Sequence, residues 1–257
     1  MSWHISSIST YPIKGLVGQN HETIFAQKDG LLQGDRAYGL TSGTAESQKA
    51  PSDSWLKKAH FLQMMSIADL AALTLDFDAD TQMLRLHKQG DDSLFYEGVL
   101  SDEADGARLC ALMANYLNLP ETAPRPRLFH LPLAGLTDTK TPYVAFGNTA
   151  SITDFATAEN HGDDSRRYRL NVMMTGAPAW AEFSLLGKTA RLGSCEFTFA
   201  EPVGRCAAIE VDPKTAQRQK GLVQQLSSRY GHTDMGIFAT VTREGYISVG
   251  DELTILD

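Results

Sequence analysis

The stretch CEFTF, residues 195–199, puts Cys195, Phe197 and Phe199 on one side of an extended chain and Glu196 and Thr198 on the other. Such alternation has the two-residue period of a strand with one face in a core, and a helix cannot satisfy it. The rhythm recurs along the chain. WHISSISTY (3–11) and residues 22–28 read as short strands, and Leu73, Leu75 and Phe77 alternate with polar neighbours before the turn DADT. YRLNVMMTG, ARLGSCEFTFAEP, MGIFATVTREG and YISVGDELTIL continue it.

Against these strands stands one long helical pattern, DGARLCALMANYLNLP. Leu109, Leu112, Met113, Tyr116 and Leu117 share one face, with Asp105 as the expected cap and Pro120 as the stop. Cys110 adjoins that stripe and reads as a packing residue. Shorter helices are expected at SITDFATAEN, with Ser151 as N-cap and Asp154 three residues on, and around GLVQQLSSRYG. Residues 44–58 are polar and read as a loop, and the Pro- and Thr-rich segment 121–142 reads as a boundary. The expectation is a β-rich α+β protein with a barrel-like sheet, divided into residues 1–122 and 123–257.

The 257 residues carry a net charge of −8 without any basic run, which argues against a nucleic-acid surface and against attraction to acidic lipid. The N-terminus lacks the pattern of a signal peptide, and no window is apolar enough to predict a membrane span. Cys110, Cys195 and Cys206 include no CxxC pair, so neither a disulfide framework nor a structural zinc site is expected. The expected compartment is the cytoplasm. GxSxG, Walker A, HExxH and dinucleotide GxGxxG motifs are absent.

Chemistry concentrates in EPVGRCAAIEVDP (201–213). Ala207, Ala208, Ile209 and Val211 read as a strand that Asp212-Pro213 ends, with Cys206 at its mouth beside Arg205. A cationic neighbour favours a thiolate, the form that attacks electrophiles and binds soft metals, although a free cysteine more commonly just packs. Lys14, Arg36 and Arg169 each lie next to turn chemistry rather than in a charge run. Singly they read as solvated charges; with Arg205 they could frame an anion pocket. A thiol hydrolase pairing Cys206 with His232 stays open on the residues alone.

The ordered set YPIKG (11–15), GDRAYGL (34–40), TASITDF (149–155), RYRLNVMMTG (167–176), GRCAAIEVDP (204–213) and ISVGDELTIL (247–256) resembles the MOSC family. More closely, it resembles proteins with an N-terminal MOSC-type β-barrel before the MOSC domain, such as the mitochondrial amidoxime-reducing component and its bacterial relatives. The resemblance implies a molybdenum cofactor, with Cys206 as metal ligand and catalytic residue. It implies cofactor contacts from Lys14, Arg36, Thr149, Ser151, Arg169, Asn171 and Arg205, and reduction of N-hydroxylated or N-oxygenated small molecules. Pyridoxal phosphate is not expected. The chain departs from the family pattern at Gly15 and Gly204, where serine is common, and at Leu170, where proline is common.

Two further expectations follow. A carrier of molybdenum cofactor, or of sulfur as a Cys206 persulfide, would use the same cysteine without redox turnover. As a reductase, the chain would need electrons from a separate protein of ferredoxin, flavodoxin or reductase type, because three cysteines cannot supply a four-thiolate iron–sulfur centre and no dinucleotide fingerprint is present.

Overall fold

The computed structural model describes residues 2–256. In chain order it contains β1 (His4–Thr10), β2 (Ile13–Lys14), β3 (Gln19–His21), β4 (Thr23–Ala26), β5 (Tyr38–Leu40) and α1 (Ala45–Lys49). Then come β6 (Leu73–Asp78), β7 (Met83–Lys88), β8 (Asp91–Val99), α2 (Glu103–Tyr116) and β9 (Leu128–His130). The C-terminal half holds β10 (Val144–Asn148), α3 (Thr149–Ala158), β11 (Val172–Thr175), β12 (Thr189–Leu192) and β13 (Cys195–Gly204). It closes with α4 (Leu222–Tyr230), β14 (Asp234–Arg243), β15 (Gly245–Ser248) and β16 (Thr254–Ile255). The protein is α+β and strand-rich, as its alternating runs require.

Eight strands form one sheet in the order β16-β12-β13-β14-β10-β11-β1-β3, curled into a half-barrel. All its pairings are antiparallel except β10 with β11. A parallel pair needs a crossover, and α3 supplies it. Cys195, Phe197 and Phe199 face the concave core, where Phe146 meets Phe197 and Phe199 edge to face at 5.1 and 5.3 Å. The convex face packs on α3 and α4 through Phe155, Leu222, Leu226 and Met235.

A three-stranded meander, β6-β7-β8, packs on α2 through Leu84, Leu86, Leu109 and Met113, and a small sheet, β2-β5-β9, shares that core through Ile13, Tyr38 and Leu40. Strands of the first 122 residues pair with later ones: β1 and β3 complete the large sheet, and β4 pairs with β15. The two halves are thus joined by backbone ladders, a pairing between distant segments that local periodicity cannot reveal.

Four local expectations need correction. Helix α2 is capped by Asp102, whose carboxylate accepts from the Asp105 amide at 3.0 Å, so Asp105 lies inside the first turn. The polar stretch 44–58 contains α1, capped by Thr44. Helix α3 is capped by Asn148 rather than Ser151. Ala207–Glu210 form a 3₁₀ turn in place of the expected strand. This turn carries the chain between two cores, with Ile209 buried among the α3 and α4 contacts and Val211 among those of the meander.

Truncating Phe146 to alanine is expected to cost about 3–5 kcal/mol, because two aromatic neighbours lose their shared partner in a closed core. Urea denaturation of the purified variant measures it.

Candidate functional site

One cleft gathers most of the singled-out residues. Lys14, Arg36, Arg169, Asn171, Arg205 and Cys206 all line it, although they come from four separate stretches of the chain. Thr149 and Ser151 do not. Ser151 is fully buried elsewhere, donating from Oγ to Glu182 Oε2 at 2.8 Å and accepting from the Trp180 amide at 2.7 Å. The hydroxyl expected near a cofactor instead fixes the turn after β11 beneath helix α3.

Cys206 sits where the β13–β14 ladder ends. Register shifts around Pro202 loosen that ladder, and the Arg205 amide makes a last bond to Thr233 O at 2.8 Å. Cys206 then runs extended (φ −121°, ψ 175°), and its carbonyl accepts from the Ile209 amide to close the 3₁₀ turn. The cysteine is half-buried, unlike Cys110 and Cys195, whose thiols burial pushes up to about 11. Those two stay protonated and inert, which leaves Cys206 as the accessible sulfur.

The cations are held by an aromatic post. Tyr11 is buried, and the guanidiniums of Arg169 and Arg36 lie 4.3 and 5.0 Å from its ring centroid. Its own hydroxyl donates to Leu170 O. Arg36 is further fixed by Asp35, which is buried and also accepts from the Tyr11 amide, and by Asn171 Oδ1 at 3.3 Å and Arg169 O at 3.2 Å. Both arginines adopt left-handed backbone (φ +51° and +54°), a conformation that costs a non-glycine residue energy and persists only where surroundings enforce it.

Burial drives the Arg169 and Arg205 pKa values down to about 10, and neither forms an ion pair among the described residues. Arg205 spends one nitrogen on Tyr168 O at 2.6 Å, and its Nε is buried with no partner. Lys14 is only 5% exposed, and burial likewise pulls its pKa down. Lys14 and Arg36 have carboxylate partners in Asp138 and Asp35, whereas Arg169 and Arg205 keep their charge in the cleft without one among the described residues, an arrangement that suits an anion.

Three participants escape the sequence reading. Arg167, two residues before the anticipated Arg169, is buried and ties Ile209 O at 2.9 Å and Asp212 Oδ2 at 2.8 Å, which anchors the turn behind Cys206. Arg218 bridges Ala207 O to the carbonyls of Met64 and Met65 and so pins the lip opposite Cys206. Asp138, in the segment read as a boundary, binds Lys14 Nζ at 2.6 Å. Each acts through a carbonyl or a charge far away in sequence, and no local motif signals that.

No histidine lines the cleft. His232 lies among Trp180, Phe183 and Tyr230, and its Nδ1 accepts from the Asp234 amide. Among the described residues, no group of three or more His, Cys, Asp or Glu could hold a metal ion. A metal on Cys206 must therefore arrive with most of its own ligands.

Residues 143–254 match the MOSC domain family. Solved structures similar to it include YuaD from Bacillus subtilis, at 12% identity and a TM-score of 0.47 over 98% of this chain and 94% of that one. YiiM from Geobacillus stearothermophilus is similar at 14% identity and a TM-score of 0.37, over 44% of this chain and 54% of that one. YiiM from Escherichia coli is similar at 14% identity and a TM-score of 0.34, over the same shares. No curated protein matches.

Gly15 follows Lys14 with φ +85°, and a Cβ there would lie 2.1 Å from Leu62 O. The glycine is thus a requirement of this backbone, not merely a lost hydroxyl. Gly15→Ser is expected to destabilise the protein by about 2 kcal/mol or more and to displace Lys14. Thermal unfolding measures the first effect and anion titration the second; a fully stable Gly15→Ser variant contradicts the assignment.

Proposed function

We propose that this chain binds a molybdenum cofactor in the cleft with Cys206 as the protein's metal ligand, and that it reduces N-hydroxylated or N-oxygenated small molecules. The observation that carries the proposal is the pairing of an accessible thiol with two half-buried guanidiniums, Arg169 and Arg205, that have no counter-ion among the described residues. The residues suit such a group. A pterin dithiolene brings two sulfurs of its own to the metal, so a single soft protein ligand is enough. Its phosphate needs cations, which Lys14, Arg36 and Arg169 provide.

When bound, a molybdenum centre supplies two-electron chemistry and an acceptor for oxygen. The chain's contribution is placement. Cys206 offers its sulfur at the mouth of a turn that Arg167 and Arg218 hold from either side. Tyr11 and Asn171 keep the guanidiniums aimed before any ligand arrives, so little reorganisation is needed on binding. Cys110 and Cys195, buried in separate apolar cores, are not available to build an iron–sulfur centre. Electrons therefore come from a separate redox protein that docks transiently.

Cys206→Ser is expected to remove bound molybdenum while leaving the fold intact, since a hydroxyl is a hard ligand where a soft one is wanted. Cys110→Ser should retain the metal. Elemental analysis of freshly purified protein reads both, and undiminished molybdenum in Cys206→Ser defeats the proposal.

Molybdenum-loaded protein is expected to turn over a hydroxylamine with an added reductase or artificial donor, and to stay idle with NAD(P)H alone. Release of cofactor to an apo-enzyme without any turnover would instead identify a carrier.

A further inference from the structure

Two carboxylates stand beside the cationic cluster, and they are held in opposite ways. Asp35 is buried, its side chain 1% exposed, and locked by the Tyr11 amide and Arg36. It is part of the scaffold. Asp138 has a side chain 54% exposed, with one oxygen 2.6 Å from Lys14 Nζ and the other 3.6 Å from Lys58 Nζ. Lys58 is itself 39% exposed. Asp138 thus stands between a buried cation of the cleft and a solvent-facing cation outside it.

The backbone around Asp138 is pinned. Trp55 Nε1 donates to Thr137 O, Thr137 Oγ1 to Thr139 O, and Thr139 Oγ1 to Thr141 O. Lys14 Nζ also donates to Leu136 O at 2.6 Å. With the loop fixed, the freedom left to Asp138 is rotation of its side chain. An ammonium has three donors, and Lys14 commits two of them to this loop. An incoming anion therefore finds Lys14 already neutralised and meets a like charge beside it.

We propose that Asp138 is a displaceable counter-ion: it occupies the anion seat at Lys14 in the free protein and passes to Lys58 when an external anion enters. It thereby determines which anions the cleft accepts. A doubly charged group such as a phosphate monoester can outcompete a single, half-solvated carboxylate, whereas a monocarboxylate cannot. The inference rests on the anion-binding reading of the cleft, and not on the identity of any metal there.

The test uses sulfate, whose charge is constant across neutral pH, titrated calorimetrically into the purified full-length protein at fixed ionic strength. Lys14→Met identifies the site by losing the binding. Asp138→Asn keeps the shape but removes the competing charge, and should bind sulfate about five-fold more tightly. Asp138→Ser should act in the same direction. Lys58→Met should weaken binding about two-fold in the wild-type background, because the released carboxylate loses its second partner, and should have little effect in Asp138→Asn.

Sulfate affinity in Asp138→Asn that is no higher than wild type, or an absence of binding, overturns the proposal. An equal loss from Lys58→Met in both backgrounds overturns the transfer to Lys58. A protein that never holds molybdenum, yet shows the gain in Asp138→Asn, ends the cofactor proposal and leaves this one standing.

Discussion

The side chain of Asn171 is where sheet and site meet. Its Oδ1 accepts from the Ala145 amide at 3.1 Å and from Arg36, while its Nδ2 donates to Ser9 O at 3.1 Å. Its backbone pairs with the same two neighbours, donating to Ala145 O at 2.8 Å and accepting from the Ser9 amide at 2.7 Å. One buried residue thus clips β1, β10 and the start of β11 together and presents an oxygen to a guanidinium. A buried amide satisfied on every side rigidifies its surroundings, and loss of any one partner would leave a costly orphan. Arg36 inherits its position from the sheet, Tyr11 is fixed by Asp35, and Arg169 stacks on Tyr11.

Such a cluster works against stability. Lys14, Arg36, Arg169 and Arg205 gather at one cleft in a protein whose net charge is negative, and two of them take left-handed backbone. Repulsion, desolvation and backbone strain all favour dispersal. What opposes them is apolar packing on both sides: the aromatic core of the half-barrel beneath β11 and the helix-backed meander beyond Lys14. The cleft lies at the join between these cores, where Ile209 enters one and Val211 the other. An anion bound there would relieve the repulsion, which is the physical basis of the proposed function.

Much of this was legible from spacing. Alternation in CEFTF and in residues 73–77 identified strands, and the stripe from Leu109 to Leu117 identified the long helix, because core faces impose those periods wherever they occur. The six ordered motifs led to Lys14, Arg36, Arg169, Asn171, Arg205 and Cys206, which the fold does bring to one cleft. Ser151 misled because a hydroxyl near a helix start looks alike whether it faces a ligand or Glu182. Ala207–Val211 misled because alternate burial of Ile209 and Val211 suits a 3₁₀ turn between two cores as well as a strand.

By itself the sequence determined the α+β, strand-rich class, which depends on local period, and its ordered motifs singled out Cys206 and the cations Lys14, Arg36, Arg169 and Arg205. Only the tertiary structure decided that β1 and β3 belong to the sheet of the C-terminal half, that the ring of Tyr11 meets two guanidiniums, and that Asp138 covers Lys14. Those facts join residues up to roughly 160 positions apart. Nothing in the local chemistry of either partner records such a contact, which exists because apolar burial folds the two cores against each other and brings the charges between them along.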